Sequence, residues 1–195
     1  RSEDAGGNAY FEQAYDLLRN ANTFLENFPE HDDNYTEEKA NGFKGEAYFV
    51  RAFTHFALAK RYGGVPIVTE VLDYPEESIS ELDKPRDSEQ AVYDQILEDF
   101  DKAIQMLPEQ NSLGRATKWA AAAFKSRAML HAGSIAKFHD ESLFNGDTRI
   151  VGIPEQKAED YFKEAFEAAR LVQQQSPHQL YKEQWAANDP EAQYK

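Results

Sequence analysis

Residues 45–67 read GEAYFVRAFTHFALAKRYGGVPI, and this stretch decides the fold class. Apolar residues such as Phe49 and Phe53 recur at helical spacing and cover nearly the whole circumference, which predicts a helix with neighbours on several sides. The helical pattern stops at Gly63 and Gly64, because glycine readily adopts the left-handed conformation that ends helices. The short apolar run after the two glycines is expected to lie extended.

Four further segments have the same helical periodicity, and none alternates apolar and polar residues in the manner of a half-buried strand. Start signals support these assignments, since Ser88 is a good N-cap residue and Thr36 is followed by two acidic residues, which suit the positive end of a helix. The sequence therefore predicts an all-α protein with helices at residues 8–28, 37–62, 88–107, 116–138 and 155–175.

Alanine dominates the inward stripes of the last two predicted helices, including the run at 120–123. Small side chains let two helix axes approach closely, so we expect antiparallel hairpins stacked on one another. The spacing of Ile96, Phe100 and Pro108 is typical of the second helix of a tetratricopeptide repeat. We therefore predict tetratricopeptide-like helical hairpins, in which the second predicted helix pairs with the third and the fourth with the fifth.

Two connections are too long for simple turns between paired helices. Residues 63–87 and 139–153 are predicted to be long inserted loops that leave the helical scaffold. Long loops on a rigid frame are common places for recognition, so ligand contacts are expected there rather than inside the helical layer.

The composition excludes several classes of function. The 195 residues include 21 basic and 35 acidic ones, and a net charge of −14 repels nucleic acid and anionic lipid surfaces. The absence of Cys excludes disulfides, thiolate metal sites and cysteine nucleophiles from this sequence. No run reaches the roughly 18 apolar residues that a membrane-spanning helix needs. Because the chain starts at Arg1 and ends without a helix terminus, we interpret residues 1–195 as a single helical segment of a larger protein.

Several strings in the sequence resemble the signature of SusD/RagB proteins and occur in the order typical of that family. The helix that carries Glu46, Ala47, Arg51 and Ala52 runs into YGGVP at 62–66, which is similar to the "E-A-x-x-x-R-A" and "Y-G-G-V-P" of the family. Further similar strings are RNAN at 19–22, PRDS at 85–88, VYDQILED at 92–99, AIQMLP at 103–108, GRATK at 114–118 and SRAML at 126–130. The resemblance covers residues 8–182.

The resemblance implies a lipoprotein exposed at the cell surface on the outer membrane of Bacteroidetes-type bacteria. Such a protein is the lid subunit of a TonB-dependent SusC-like transporter and captures oligosaccharides or other nutrients without catalysis. The tetratricopeptide-like helices form the scaffold and much of the surface that rests on the transporter, while loops outside the repeats contact the glycan. Membrane attachment is expected only through a lipid anchor outside this segment, and no cofactor, metal or nucleic acid partner is expected.

Candidate site residues fall into two groups. Glycan binding needs exposed aromatic rings, and Trp185 in a polar stretch and Tyr74 in the first long loop are candidates, although a Trp that caps the helical layer is equally natural. Arg51, Arg86 and Arg115 lie within the strings that resemble the family. We predict structural roles for them, because a forked guanidinium can hold loop carbonyls and helix ends together.

No catalytic motif is present, since the sequence lacks G-x-S-x-G, a P-loop and H-E-x-x-H. Nothing singles out a close pair of carboxylates for glycoside hydrolysis, and the acidic face of the third predicted helix, including Asp99, is interpreted as a solvated surface. A non-enzymatic oligosaccharide-binding subunit is the leading hypothesis. A generic tetratricopeptide-like scaffold for peptides or proteins remains the alternative, and a helical glycoside hydrolase is a third hypothesis.

Overall fold

The computed structural model describes residues 7–71 and 84–179, which are mostly helical. These residues contain five α-helices, which are α1 Gly7–Asn27, α2 Glu37–Tyr62, α3 Glu89–Met106, α4 Lys118–Phe138 and α5 Ala158–Gln175. Short 3₁₀ segments lie at Phe28–Glu30, Asp32–Asn34 and Glu155–Lys157. The predicted all-α fold is confirmed, and the largest difference in a helix end is the start of α5 at Ala158 rather than at residue 155.

The helix starts follow from local hydrogen bonding. The side chains of Thr36, Ser88 and Thr117 each accept a hydrogen bond from the backbone N–H three residues later, at the beginning of α2, α3 and α4. Such caps satisfy N–H groups that have no partner within the helix. Gly63 ends α2 at the predicted position with φ at 72°, a positive value that suits glycine, but its ψ of −132° differs from that of the expected left-handed helical conformation.

Consecutive helices pack against one another in antiparallel fashion, with α2 packed most extensively on α3 and α4 on α5, and α2 also contacts α4. This is the pairing expected for tetratricopeptide-like hairpins. The core lies between the helices and includes the fully buried side chains of Leu18, Leu58, Ile96, Phe100 and Met129.

Small residues allow α4 and α5 to approach closely, as their sequences predict. A Cβ added at Gly133 would lie 2.7 Å from the ring of Phe162, so the aromatic ring occupies the space that a larger residue would fill. The Ser126 hydroxyl donates a hydrogen bond of 2.8 Å to the carbonyl of Ala165 across the same contact.

The second long loop contains a small β-hairpin that the sequence does not predict. Strand β1 Leu143–Asn145 pairs in antiparallel fashion with β2 Thr148–Val151. The two-residue turn begins with Gly146 at φ 59°, which matches the glycine position of a type II′ turn. Strands of three and four residues are too short for an alternating pattern to be recognised.

Both long loops emerge at the same end of the helical layer, because α2 and α4 end there while α3 and α5 begin there. We call this the loop end. It consists of the strap (residues 62–71), the return segment (84–88) and the hairpin segment (139–153). None of the helices in the described residues combines the length and the hydrophobicity of a transmembrane segment.

Candidate functional site

The strap has no regular secondary structure after α2, and its backbone is bonded to side chains of the helices. The Tyr15 hydroxyl donates a hydrogen bond of 2.7 Å to the carbonyl of Pro66, and the Asn22 amide donates one of 3.0 Å to the carbonyl of Val68. Val65 is only 1% exposed. A buried irregular backbone requires such partners, so the strap belongs to the packed structure.

The return segment lies beside the strap and is bonded to it in both directions. The Asp87 N–H donates to the carbonyl of Val65 at 3.3 Å, and the Asp87 carboxylate accepts from the N–H of Ile67 at 2.8 Å. Arg86 donates to the carbonyl of Gly64 at 2.7 Å and also to the carbonyl of Tyr62. The Arg86 guanidinium therefore holds the C-terminal end of α2 and the start of the strap together.

The glycine pair of the strap is required by close backbone approaches. A Cβ at Gly64 would overlap the carbonyl oxygen of Asp87, and a Cβ at Gly63 would overlap that of Ile150. These contacts bring the strap, the return segment and the hairpin segment to one point. The YGGVP string thus marks the junction of the whole loop end.

The hairpin segment is attached to this junction at its base. The Gly64 N–H donates a hydrogen bond of 2.6 Å to the carbonyl of Ile150, and the Gly152 N–H donates one of 2.6 Å to the carboxylate of Glu89. Burial raises the pKa of Glu89, although the Gly152 N–H acts in the opposite direction. The first turn of α3 therefore fixes the point from which the hairpin projects.

A buried ion pair between α2 and α3 supports the strap, and we call this pair the brace. Arg51 on α2 donates two hydrogen bonds to the carboxylate of Asp99 on α3, at 2.8 and 2.7 Å. The same guanidinium donates to the side chain of Asn22 on α1 at 2.9 Å and to the carbonyl of Thr69 in the strap at 3.2 Å. Three helices and the strap thus meet at one cation.

The interpretation of the acidic face of α3 as a solvated surface is wrong for Asp99, which is completely buried. Burial raises the pKa of Asp99, while the Arg51 charge and its hydrogen bonds act in the opposite direction. The signal was present in the sequence, because Asp99 follows Ile96 by three residues and precedes Ala103 by four, on the apolar side of the helix.

A polar cavity of about 430 Å³ opens beside this brace. Its lining includes Tyr48, Arg51, Thr69, Glu98 and Lys102. Two cations lie near the Tyr48 ring, with Arg51 Cζ at 5.3 Å and Lys102 Nζ at 5.2 Å from its centroid. Donors and acceptors around an aromatic ring can bind a polar ligand. Elsewhere too, the described residues contain no cluster of three or more His, Asp or Glu arranged to hold a metal ion.

Arg115 lies in the loop before α4, at the end of the helices opposite the loop end. Its guanidinium donates to both carboxylate oxygens of Glu46, and Nε lies 2.7 Å from one of them. A cavity of about 670 Å³ there is lined by this pair together with Phe43 and the loop between α3 and α4. The structure thus brings Arg51 and Arg86 to one strap and keeps Arg115 apart.

The two aromatic candidates for glycan contact, Tyr74 and Trp185, lie outside the described residues. Their proposed role stays a prediction. Sequence reasoning did not select Glu89 and Phe144, which the structure places at the base and near the tip of the hairpin segment.

The chain resembles known proteins over most of its length. The family model described as "Starch-binding associating with outer membrane" (SusD-like_3) matches residues 1–130. The SusD-like protein P2 of Formosa agariphila is 30% identical over 173 residues, which cover 87% of this chain and 32% of that protein.

Two solved structures show the same architecture. A SusD-like protein of Bacteroides fragilis is 29% identical, with a TM-score of 0.65 over 86% of this chain and 27% of the other. A laminarin-binding SusD-like protein is 25% identical, with a TM-score of 0.58 over 80% of this chain and 29% of the other. This chain therefore spans about a third of the length of the proteins it matches. Because the family model matches two thirds of the chain, from α1 into α4, and the fold agrees, the chain belongs to the SusD-like family.

Proposed function

We propose that the protein captures oligosaccharides at the cell surface without catalysis, as the lid subunit of a SusC-like TonB-dependent transporter in the outer membrane. The observation that carries this proposal is the family match over residues 1–130, which includes the strap and its helical supports. The laminarin-binding relative supports a carbohydrate ligand. In this proposal the loop end faces the ligand, and a lipid anchor outside the segment holds the protein on the membrane.

The state of the buried carboxylates supports a binding role. In the described residues, Glu89 and Asp99 are the buried acids, and each is already engaged in holding structure. Glu89 accepts from the hairpin backbone, and Asp99 is paired with Arg51. A glycosidase needs a pair of carboxyl groups facing the scissile bond, and these two face packed protein instead.

The charge distribution supports a protein partner. Although the chain carries a net charge of −14, α4 contains no Asp or Glu, and neither does the part of α2 from residue 47 to 62. Both helices expose apolar side chains, with Phe53 43% exposed and Leu130 55% exposed. Burial lowers the pKa of His131, and the nearby charges of Lys60 on α2 and Arg127 on α4 lower it further.

This apolar and weakly basic face (α2 from residue 47 and the exposed stripe of α4) is what we propose rests on the transporter. Charged residues are depleted at the cores of interfaces, and a face without acids in an acidic protein fits that pattern. Leu130→Glu introduces a charge into the face at an exposed site, whereas Leu113→Glu makes the same change in an exposed loop at the other end of the layer.

The ligand is tested by calorimetric titration of the full-length protein with laminarin, xyloglucan and soluble starch. Saturable binding of at least one polysaccharide is expected. No heat of binding with any of the three would contradict carbohydrate capture and favour the alternative of a protein-interaction scaffold.

The partner is tested by purifying the tagged full-length protein from outer membranes of its native host. We expect a large β-barrel transporter to co-purify with the wild type and with Leu113→Glu, and its yield to fall at least fivefold with Leu130→Glu. Absence of a barrel from the wild-type preparation would refute the lid role while leaving the glycan titration to be judged on its own.

A further inference from the structure

The hairpin segment has exposed apolar side chains that the packing of the helices does not explain. Leu143 is 60% exposed and Phe144 55%, and Phe138, the last residue of α4, is 73% exposed just before the segment. Single exposed apolar residues are ordinary on protein surfaces, but three within seven consecutive residues are a concentration that indicates a contact.

Phe144 has the geometry of a fixed aromatic surface. It pairs across the hairpin with Arg149, so the two side chains stand on the same face. The guanidinium carbon of Arg149 lies 5.3 Å from the centre of the Phe144 ring, a cation–π contact that holds the ring from one side. More than half of the Phe144 side chain nevertheless remains exposed.

The base of the hairpin is held by the rest of the protein. Ile150 accepts from the Gly64 N–H, and Gly152 donates to Glu89, so both the strap and α3 anchor β2 and the residue that follows it. A ring presented on a preformed support loses little conformational entropy when a ligand binds.

We propose that Phe144 is a stacking platform for one sugar ring of an oligosaccharide, with Arg149 supporting it. This inference rests on the proposed function of carbohydrate capture. The C–H face of a pyranose packs on the exposed side of the aromatic ring. Asn145 and Asp147, both exposed at the same turn, can bond the hydroxyl groups at the edge of the sugar.

The size of the surface favours a sugar over a protein. A stable protein interface buries about 800 Å² on each partner, which is far more than one aromatic side chain and its neighbours in a nine-residue hairpin provide. A sugar ring needs a single aromatic face and a few polar groups. The surroundings of Phe144 offer both.

The test is affinity electrophoresis of the full-length protein in native gels that contain laminarin, xyloglucan or soluble starch. The variants are Phe144→Ala, Phe144→Leu, which keeps an apolar side chain but removes the ring, and Phe144→Trp, which keeps an aromatic face. The control is Phe166→Ala, which removes an equally exposed phenylalanine from α5.

We expect the wild type, Phe144→Trp and Phe166→Ala to be retarded by at least one polysaccharide. The Kd derived from retardation should rise about fivefold to tenfold in Phe144→Ala and Phe144→Leu, because both lose the stacking contact. Circular dichroism of each variant checks that the fold is intact, as the exposure of the site predicts.

The outcomes separate this inference from the proposed function. A retarded wild type with unaffected Phe144→Ala and Phe144→Leu variants overturns the platform and leaves carbohydrate capture standing. If Phe144→Leu binds as tightly as the wild type while Phe144→Ala binds more weakly, the contact is apolar in general and does not depend on the ring. That result overturns stacking. Equal weakening in Phe166→Ala overturns the assignment to this site, and a wild type that no polysaccharide retards overturns both proposals.

Discussion

Asp99→Asn is the substitution that tests the internal brace most sharply. The change keeps the size of the side chain but removes the charge that faces Arg51, whose side chain is only 6% exposed while that of Asp99 is completely buried. Loss of one partner leaves an uncompensated charge in a medium of low polarity, which typically costs 3–5 kcal/mol. Because the Asn oxygen can still accept one hydrogen bond, we expect a loss of about 3 kcal/mol in the free energy of unfolding.

The assay is urea unfolding followed by far-ultraviolet circular dichroism at pH 7. A domain of this class has a total stability of about 5–15 kcal/mol, so the variant should remain folded and its midpoint should shift clearly. Glu167→Gln serves as the control, because its pairing with Arg170 is half exposed and measures 3.7 Å. The control should change stability by less than about 0.5 kcal/mol.

A double-mutant cycle separates the ion pair from the general effect of substitution. Arg51→Met and Asp99→Leu each leave one buried group unpaired, whereas the double variant removes both charges. We expect the double variant to be at least about 2 kcal/mol more stable than the sum of the single effects. The reasoning is refuted if Asp99→Asn behaves like the Glu167→Gln control, or if the two single effects simply add.

Three further predictions concern the residues that surround the brace. His55 is completely buried, and this burial, with a smaller effect of the Arg51 charge, lowers its pKa to about 4, although the Arg51 backbone acts in the opposite direction. The unfolded state therefore binds the proton more readily, so stability is fully present above pH 6.5 and falls by up to about 3 kcal/mol as the pH drops towards 4. His55→Phe should flatten this dependence in urea titrations at pH 7.5, 6 and 5, and an unchanged slope would contradict it. Gly64→Ala should lower the free energy of unfolding by about 3 kcal/mol, because its Cβ overlaps a backbone oxygen. The control Gly114→Ala should lower it by about 1 kcal/mol, because its φ is 85° but its surroundings are open. Equal effects would show that the strap backbone shifts to make room for the Cβ. Tyr15→Phe should cost about 1 kcal/mol through loss of its bond to the strap, and a neutral result in the same assay would mean that the bond adds nothing in solution.

The helices were predictable because their signals are local. Periodic apolar residues, the cap at Ser88 and the glycine at position 63 each act within a few residues of the helix that they define. The pairing of the helices into antiparallel pairs followed from the alanine spacing, because small side chains let neighbouring helices approach closely.

The bracing of the loop end could be predicted only in part, since it depends on contacts between residues far apart in sequence. A structural role was expected for Arg51, but its partner Asp99 lies 48 positions away and was interpreted as solvated. Glu89 likewise bonds a glycine 63 positions further on. Periodicity shows which side of a helix a residue occupies, and it does not show which element packs there.

The ligand contact proposed from the structure differs from the candidates taken from the sequence, because exposure and contacts depend on the three-dimensional fold. Tyr74 and Trp185 are candidates because they are aromatic and lie outside the helices predicted from sequence, whereas Phe144 stands out through its exposure and its contact with Arg149. Neither property can be read from a three-residue strand. The roles of Tyr74 and Trp185 remain predictions for the same binding experiments.

Hydrogen–deuterium exchange of the full-length protein, with and without a polysaccharide fragment that it binds, measures most directly whether the loop end faces the ligand. We expect the fragment to slow exchange in residues 62–71 and 139–153 and to leave the opposite end, residues 28–36 and 107–117, unchanged. Protection confined to that opposite end, or absent from the loop end at saturating ligand, would contradict this account of how the fold is used.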